Sequence, residues 1–225
     1  MSKNLILFLA GVIVLYLLVV LMIRFSGMRR RHGIKVTLSE EAQAKERAAL
    51  EAKKAASAAN NALRLFIVQI TRFASRHGLA LLMPANVVWK NDSCRLTLLL
   101  VGKGGVLGVK SIRFGGEVQG NVSAPNWTHR ENGEENEFRN PLLGCEADKA
   151  TLQALLAENG LPNVPVDCVT VFINPKVQIN APAAVRRFTE QELFDALENG
   201  QLCPDAGCDA DAIARVLQEH IPAAQ

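Results

Sequence analysis

The sequence predicts an α/β fold: a central mixed β-sheet flanked by helices, preceded by a single transmembrane helix and a long alanine-rich helix. Three observations predict it. Residues 94–112 hold two near-continuous apolar runs, Leu96–Val101 and Val106–Ile112, joined by the turn Gly102-Lys103-Gly104-Gly105. Runs of leucine and β-branched residues of that length are typical of strands buried on both faces. Helix patterns then alternate with further strand patterns downstream, as in α/β proteins. Finally, Leu5–Ile23 carries no charge over 19 positions, enough for a helix to cross a bilayer core of about 30 Å.

The apolar run is too long for a signal peptide, only Lys3 precedes it with a charge, and no small-x-small cleavage site follows. A transmembrane anchor is therefore expected over residues 1–26. After the span come Arg24, Arg29, Arg30, Arg31, His32 and Lys35. The positive-inside rule places this side in the cytoplasm of a bacterial inner membrane, with a short N-terminus outside. Arg24, Arg29, Arg30, Arg31 and Lys35 are expected at the membrane surface, where each basic residue gains about 1 kcal/mol from anionic headgroups. A DNA-binding arm is the other reading of the arginine run. The net charge of +3 needs no nucleic-acid explanation once this cluster is assigned to lipid.

Residues 27–61 are expected to form the basic juxtamembrane segment and a helical stalk. Ser39 is a candidate cap, Thr37 and Glu40 have capping-box spacing, and Glu40 and Glu41 suit the positive end of a helix dipole. The pattern continues to about Arg76 without Gly or Pro, and Gly78 is placed to end it. Its first half has few large apolar residues. Its second half carries Leu63, Phe66, Ile67, Ile70 and Phe73 at helical spacing, a stripe that requires a core. Packing on its own domain and a coiled coil between two copies both satisfy that requirement.

The globular domain is expected over 62–200, with a loop and helix over 201–225. Short strands precede an Asn91-Asp92 turn, and a third strand follows Gly115-Gly116 near Val118. Trp127–Phe138 reads as a hairpin with Asn132-Gly133 at its tip. A helix is expected over Glu146–Glu158, a strand over Val166–Ile173 and a short edge strand at Val177–Ile179. The capping box Thr189-x-x-Glu192 opens another helix, and Asp209–His220 the last.

Several of these features carry a resemblance. Gly105, the Phe114-Gly115-Gly116 break, Trp127, Asn140-Pro141-Leu142 and the late apolar strand together resemble the nuclease-related domain (NERD) family, in the PD-(D/E)xK restriction-endonuclease-like superfamily. The likeness covers roughly residues 60–200. It implies a restriction-endonuclease-like sheet, an acid at the start of the first core strand, an acid-x-lysine motif on the second, and a glutamine on the following helix. In this chain those positions hold Thr97, Lys110, Ile112, and Gly144 or Cys145. Metal-dependent phosphodiester cleavage needs carboxylate oxygens for Mg²⁺ and a charge that orients water. Threonine is a poor ligand, lysine repels a cation and isoleucine does neither job. The resemblance thus implies a scaffold with its active site erased and no cofactor. Glu117 and Asp92 are the fallback carboxylates if the ligands have migrated, and only then is Mg²⁺ expected.

Other features point to little chemistry. Lys103 lies in a glycine turn that lacks the phosphate-loop spacing. His129 lies among Arg130, Glu131, Glu134, Glu135 and Glu137, which read as a solvated hairpin. The odd number of cysteines, five, argues against a disulfide framework. Cys203 and Cys208 leave half a zinc site or a reversible disulfide open beside a plain loop. The sequence therefore points to a non-enzymatic binding or scaffold protein whose partners are the bilayer and an unidentified protein. A nuclease with migrated ligands and a membrane-tethered homo-oligomer are the alternatives, and nucleic acid is a weaker partner.

Overall fold

The computed structural model describes residues 40–182 and 186–222. The expected anchor Leu5–Ile23 and the basic residues from Arg24 to Lys35 lie outside the described residues. Among the described residues no helix is long and apolar enough to cross a membrane. The larger of two compact units is Lys53–Gln225, and helix α1 spans Glu40–His77. The site lies in the larger unit.

Helix α1 follows from its sequence: alanine, glutamate, lysine and arginine are strong helix formers, and none of its residues is Gly or Pro. Its second half buries Phe66, Ile70, Phe73 and Ala74. The helix stops at Gly78, whose φ of +64° suits glycine. The Leu79 amide then donates to the Ala74 carbonyl at 2.8 Å, closing the last turn in the Schellman manner.

The strands are β1 (Ala80–Leu82), β2 (Ala85–Trp89), β3 (Asp92–Leu96), β4 (Leu98–Gly102), β5 (Gly105–Ile112), β6 (Gly116–Gln119), β7 (Asn126–Glu131), β8 (Glu134–Arg139), β9 (Val166–Phe172), β10 (Val177–Asn180) and β11 (Arg187–Thr189). The further helices are α2 (Pro141–Glu158), α3 (Glu190–Glu198) and α4 (Ala210–Glu219). Five strands form the main sheet in the order β1-β4-β5-β9-β11. β4 pairs antiparallel with β5 and β5 parallel with β9, so the sheet is mixed.

Period-two alternation along these strands feeds two cores. Leu98, Leu100, Leu107, Val109, Val169 and Val171 pack with α1 and α3 through Phe66, Ile70 and Leu193. Leu99, Val101, Val106 and Cys168 point the other way, into a cluster with Cys145, Leu152 and Leu155 of α2 and Ile213 and Leu217 of α4. Each fully buried aliphatic side chain contributes about 1.5–3 kcal/mol, and strands and helices both supply them to these two clusters. A second sheet, β10-β6-β7-β8, sits on a third cluster of Val118, Trp127, Leu142 and Phe172. The hairpin tip Asn132-Gly133 has φ of +53° and +83°, as a tight two-residue turn demands.

Four local expectations change. The run Leu96–Val101 is not one strand: the chain bends at Thr97, and Leu96 belongs to the β2–β3 hairpin. Asp92 is not the turn residue but opens β3 opposite Trp89, with Lys90 taking the left-handed φ of +53°. Helix α2 starts at Pro141 rather than Glu146, because proline suits the first helical position and Asn140 caps it. Strand β11 has only three residues, too few for a periodic signal, and its pairing with β9 defines it.

Candidate functional site

The positions where the resemblance places active-site groups lie at the bend before β4 (Thr97), on β5 (Lys110 and Ile112) and on α2 (Gly144 or Cys145). Alternation along β5 sends Lys110 toward α2, and Ser111 toward the opposite face. Lys110 lies beside Thr170 of the parallel strand β9. Its ammonium donates to Asp148 Oδ2 on α2 at 2.7 Å, with the two side chains 27% and 10% exposed. Ile112 is partly buried against the third cluster, near Phe114 and Phe138.

Thr97 is committed to the backbone. Its amide donates to the Val109 carbonyl at 2.8 Å, and its Oγ1 accepts from the Ser111 amide at 2.9 Å. The same Oγ1 shares a hydrogen bond with Ser111 Oγ at 2.8 Å. The threonine hydroxyl thereby replaces ladder hydrogen bonding where the chain bends away from the sheet.

Thiols and one hydroxyl surround the Lys110–Asp148 pair. Cys94 Sγ donates to the Asp148 backbone carbonyl at 3.5 Å, and Cys145 Sγ lies 3.3 Å from Thr170 Oγ1. Burial pushes the Cys94 thiol up to about 11, and the Asp148 carboxylate adds to the shift. Burial raises Cys145 and Cys168 as well. These thiols stay protonated at neutral pH and act as small apolar fillers.

A divalent cation does not fit this arrangement. The one carboxylate is already neutralised, and the neighbouring groups are neutral thiols and a hydroxyl instead of the oxygen shell that Mg²⁺ requires. Among the described residues no three His, Cys, Asp or Glu side chains converge on a metal position. Glu117 lies exposed on β6, opposite Arg130 of β7, and Asp92 lies exposed at the end of the β2–β3 hairpin. Neither makes a hydrogen bond or ion pair with Thr97 or Lys110 among the described residues. Arg113 donates to Asn60 Oδ1 of α1 at 2.9 Å, whereas Lys110 is held by Asp148 of α2.

Sequence reading passed over Asp148. The signal was present: Cys145, Asp148, Leu152 and Leu155 share the buried stripe of α2. A carboxylate inside an apolar stripe needs a cation, and Lys110 is the lone charge within the apolar strand β5. Asn140 was likewise visible without its role. It is 1% exposed, its Oδ1 accepts from the Leu142 amide at 3.0 Å, and its Nδ2 lies 2.7–3.2 Å from the carbonyls of Asn121, Val122 and Ala124. The Trp127 indole donates to the same Asn121 carbonyl at 2.9 Å. The Asn-Pro-Leu segment and Trp127 are thus two ends of one clamp on the 121–125 loop. His129 stacks on Phe114 with ring centroids 4.5 Å apart, and its Nε2 donates to the Gly115 carbonyl at 2.7 Å.

A mixed sheet with helices on both faces and a β-hairpin sheet packed at one end is a nuclease-like α/β architecture. Comparison with known families agrees: the nuclease-related domain (NERD) family matches residues 59–173, and this chain belongs to that family. No curated protein and no solved structure matches the chain.

Proposed function

We propose that this chain uses a nuclease-related domain for binding rather than for hydrolysis, and holds it at the cytoplasmic face of a bacterial inner membrane. The observation that carries the reading is the Lys110–Asp148 pair. Where the resemblance places a metal-binding carboxylate there is an ammonium, and the nearby carboxylate is spent on it. The charge-free run Leu5–Ile23 and the basic residues after it support a single-span anchor with the domain inside. The partner in this reading is a protein. Fold membership does not by itself carry activity to the chain.

The test is calorimetric titration of the protein with Mg²⁺ and Mn²⁺, alongside cleavage assays on single- and double-stranded DNA. Neither heat of binding nor cleavage is expected. Micromolar metal binding that vanishes in Glu117→Ala or Asp92→Ala would replace this reading with a nuclease whose ligands have moved.

A further inference from the structure

We infer that the Lys110 ammonium is a built-in cation: it neutralises Asp148 from within the chain, so that the domain's stability does not depend on metal. The inference goes beyond the binding role proposed above and does not rest on it.

Three observations carry it. Asp148 is a buried residue at 7% exposure, and a carboxylate removed from water requires a counter-charge. Among the described residues Lys110 is the one cation in ion-pair contact with it. The second observation is a cradle: Gly144 lies one helical turn before Asp148, and a Cβ there would stand 3.1 Å from Lys110 Nζ. The bare backbone at Gly144 leaves room for the end of the lysine side chain. The third is the donor set. Cys94 bonds the Asp148 backbone carbonyl, and Cys145 bonds Thr170, which lies opposite Lys110; thiols and a hydroxyl solvate neither Mg²⁺ nor Ca²⁺ well. An ammonium needs no closed coordination shell. It is a compact point charge on a flexible stem, delivered here from β5 by a strand register that β9 holds in place.

Removing the ammonium while keeping Asp148 then opens a vacancy for one small cation. The experiment follows thermal unfolding of the full-length chain and its variants in chelator, in MnCl₂, and in methylammonium chloride, with tetramethylammonium chloride at equal ionic strength as the control. The wild-type Tm is expected to stay put in all four. Lys110→Ala is expected to melt lower, and methylammonium near ten times its Kd to recover about 3–5 °C. Tetramethylammonium is too large for the Gly144 cradle and recovers nothing. The double variant Lys110→Ala/Asp148→Ala loses the methylammonium response. A wild-type Tm that rises with Mn²⁺, a Lys110→Ala Tm equal to wild type, a single variant without rescue, or rescue that survives in the double variant would each overturn the inference. If Lys110→Ala does not fold, Lys110→Met/Asp148→Leu decides the matter. An apolar pair of similar volume removes both charges and is expected to fold with a Tm close to wild type; its failure to fold would show that packing, not charge, explains these two residues.

Discussion

Cys203 and Cys208, five positions apart, lie on opposite sides of the main sheet: Cys203 packs with the α1/α3 core and Cys208 with the α2/α4 core. The loop between them crosses the end of the β4–β5 hairpin, where the amides of Ala206 and Cys208 both donate to the Lys103 carbonyl at 3.0 and 2.9 Å. The pair is therefore neither half of a zinc site nor a ready disulfide. Treating the native protein with a thiol oxidant should yield no Cys203–Cys208 cross-link by peptide mass spectrometry. Recovery of that cross-link from folded protein would contradict the arrangement. Gly104 is tied to the same crossing, because a Cβ there would collide with the Cys203 carbonyl. Gly104→Ala is expected to cost at least about 2 kcal/mol in urea unfolding.

The buried thiols also set an alkaline limit. Burial raises Cys94 and Cys203 from 9.0 to about 11. In the unfolded chain they lose protons near pH 9, while in the folded chain they keep them to about pH 11. Above pH 9 the unfolded state thus binds fewer protons than the folded one, and stability falls as pH rises through that window. The stability curve should be flat with respect to these thiols well below pH 9 and decline between about pH 9 and 11, by on the order of 2 kcal/mol for each. Cys94→Ala/Cys203→Ala should reduce the slope in denaturant titrations run across that range. An unchanged slope would assign the decline to other groups.

Gly144→Ala separates helix propensity from the lysine cradle. Alanine in a helix interior ordinarily gains about 1 kcal/mol over glycine. Here the added methyl presses on Lys110 Nζ, so the gain should vanish in the wild-type background. It should return in Lys110→Ala, giving a coupling of about 0.5–1 kcal/mol in a double-mutant cycle. Additive effects would mean that the cradle is empty of consequence.

Asn140→Ala removes the α2 cap and strips the 121–125 carbonyls of their buried donor. The cap alone is worth about 1 kcal/mol, and leaving buried acceptors unpaired adds about 1–2 more. A loss of roughly 2–3 kcal/mol is expected, with faster amide exchange concentrated in residues 121–127. Uniform exchange across the domain would argue against a local clamp.

How much of this was legible differs from residue to residue. The capping box at Thr189 and Glu192 appears as expected, with both hydrogen bonds made. So does the Asn132-Gly133 hairpin, since each rests on neighbours a few positions apart. The bend at Thr97 was not legible: an apolar run looks the same whether it stays in one sheet or leaves it for a hairpin. Only the register of β4 on β5 shows that the Thr97 hydroxyl must serve the Ser111 amide.

By itself the sequence determined the long helix, the buried strands, their turns, the charge-free N-terminal run, and the absence of acids at Thr97 and Lys110. Hydrophobic period and backbone preference are local properties, written within a few residues of where they act. The tertiary structure alone decided that Lys110 meets Asp148, 38 positions away, that Gly144 makes room for it, and that Cys203 and Cys208 part to different cores. Those outcomes depend on which strand face meets which helix face. That is settled by the sheet order β4-β5-β9 and by α2 crossing over it, not by any stretch of chain read alone.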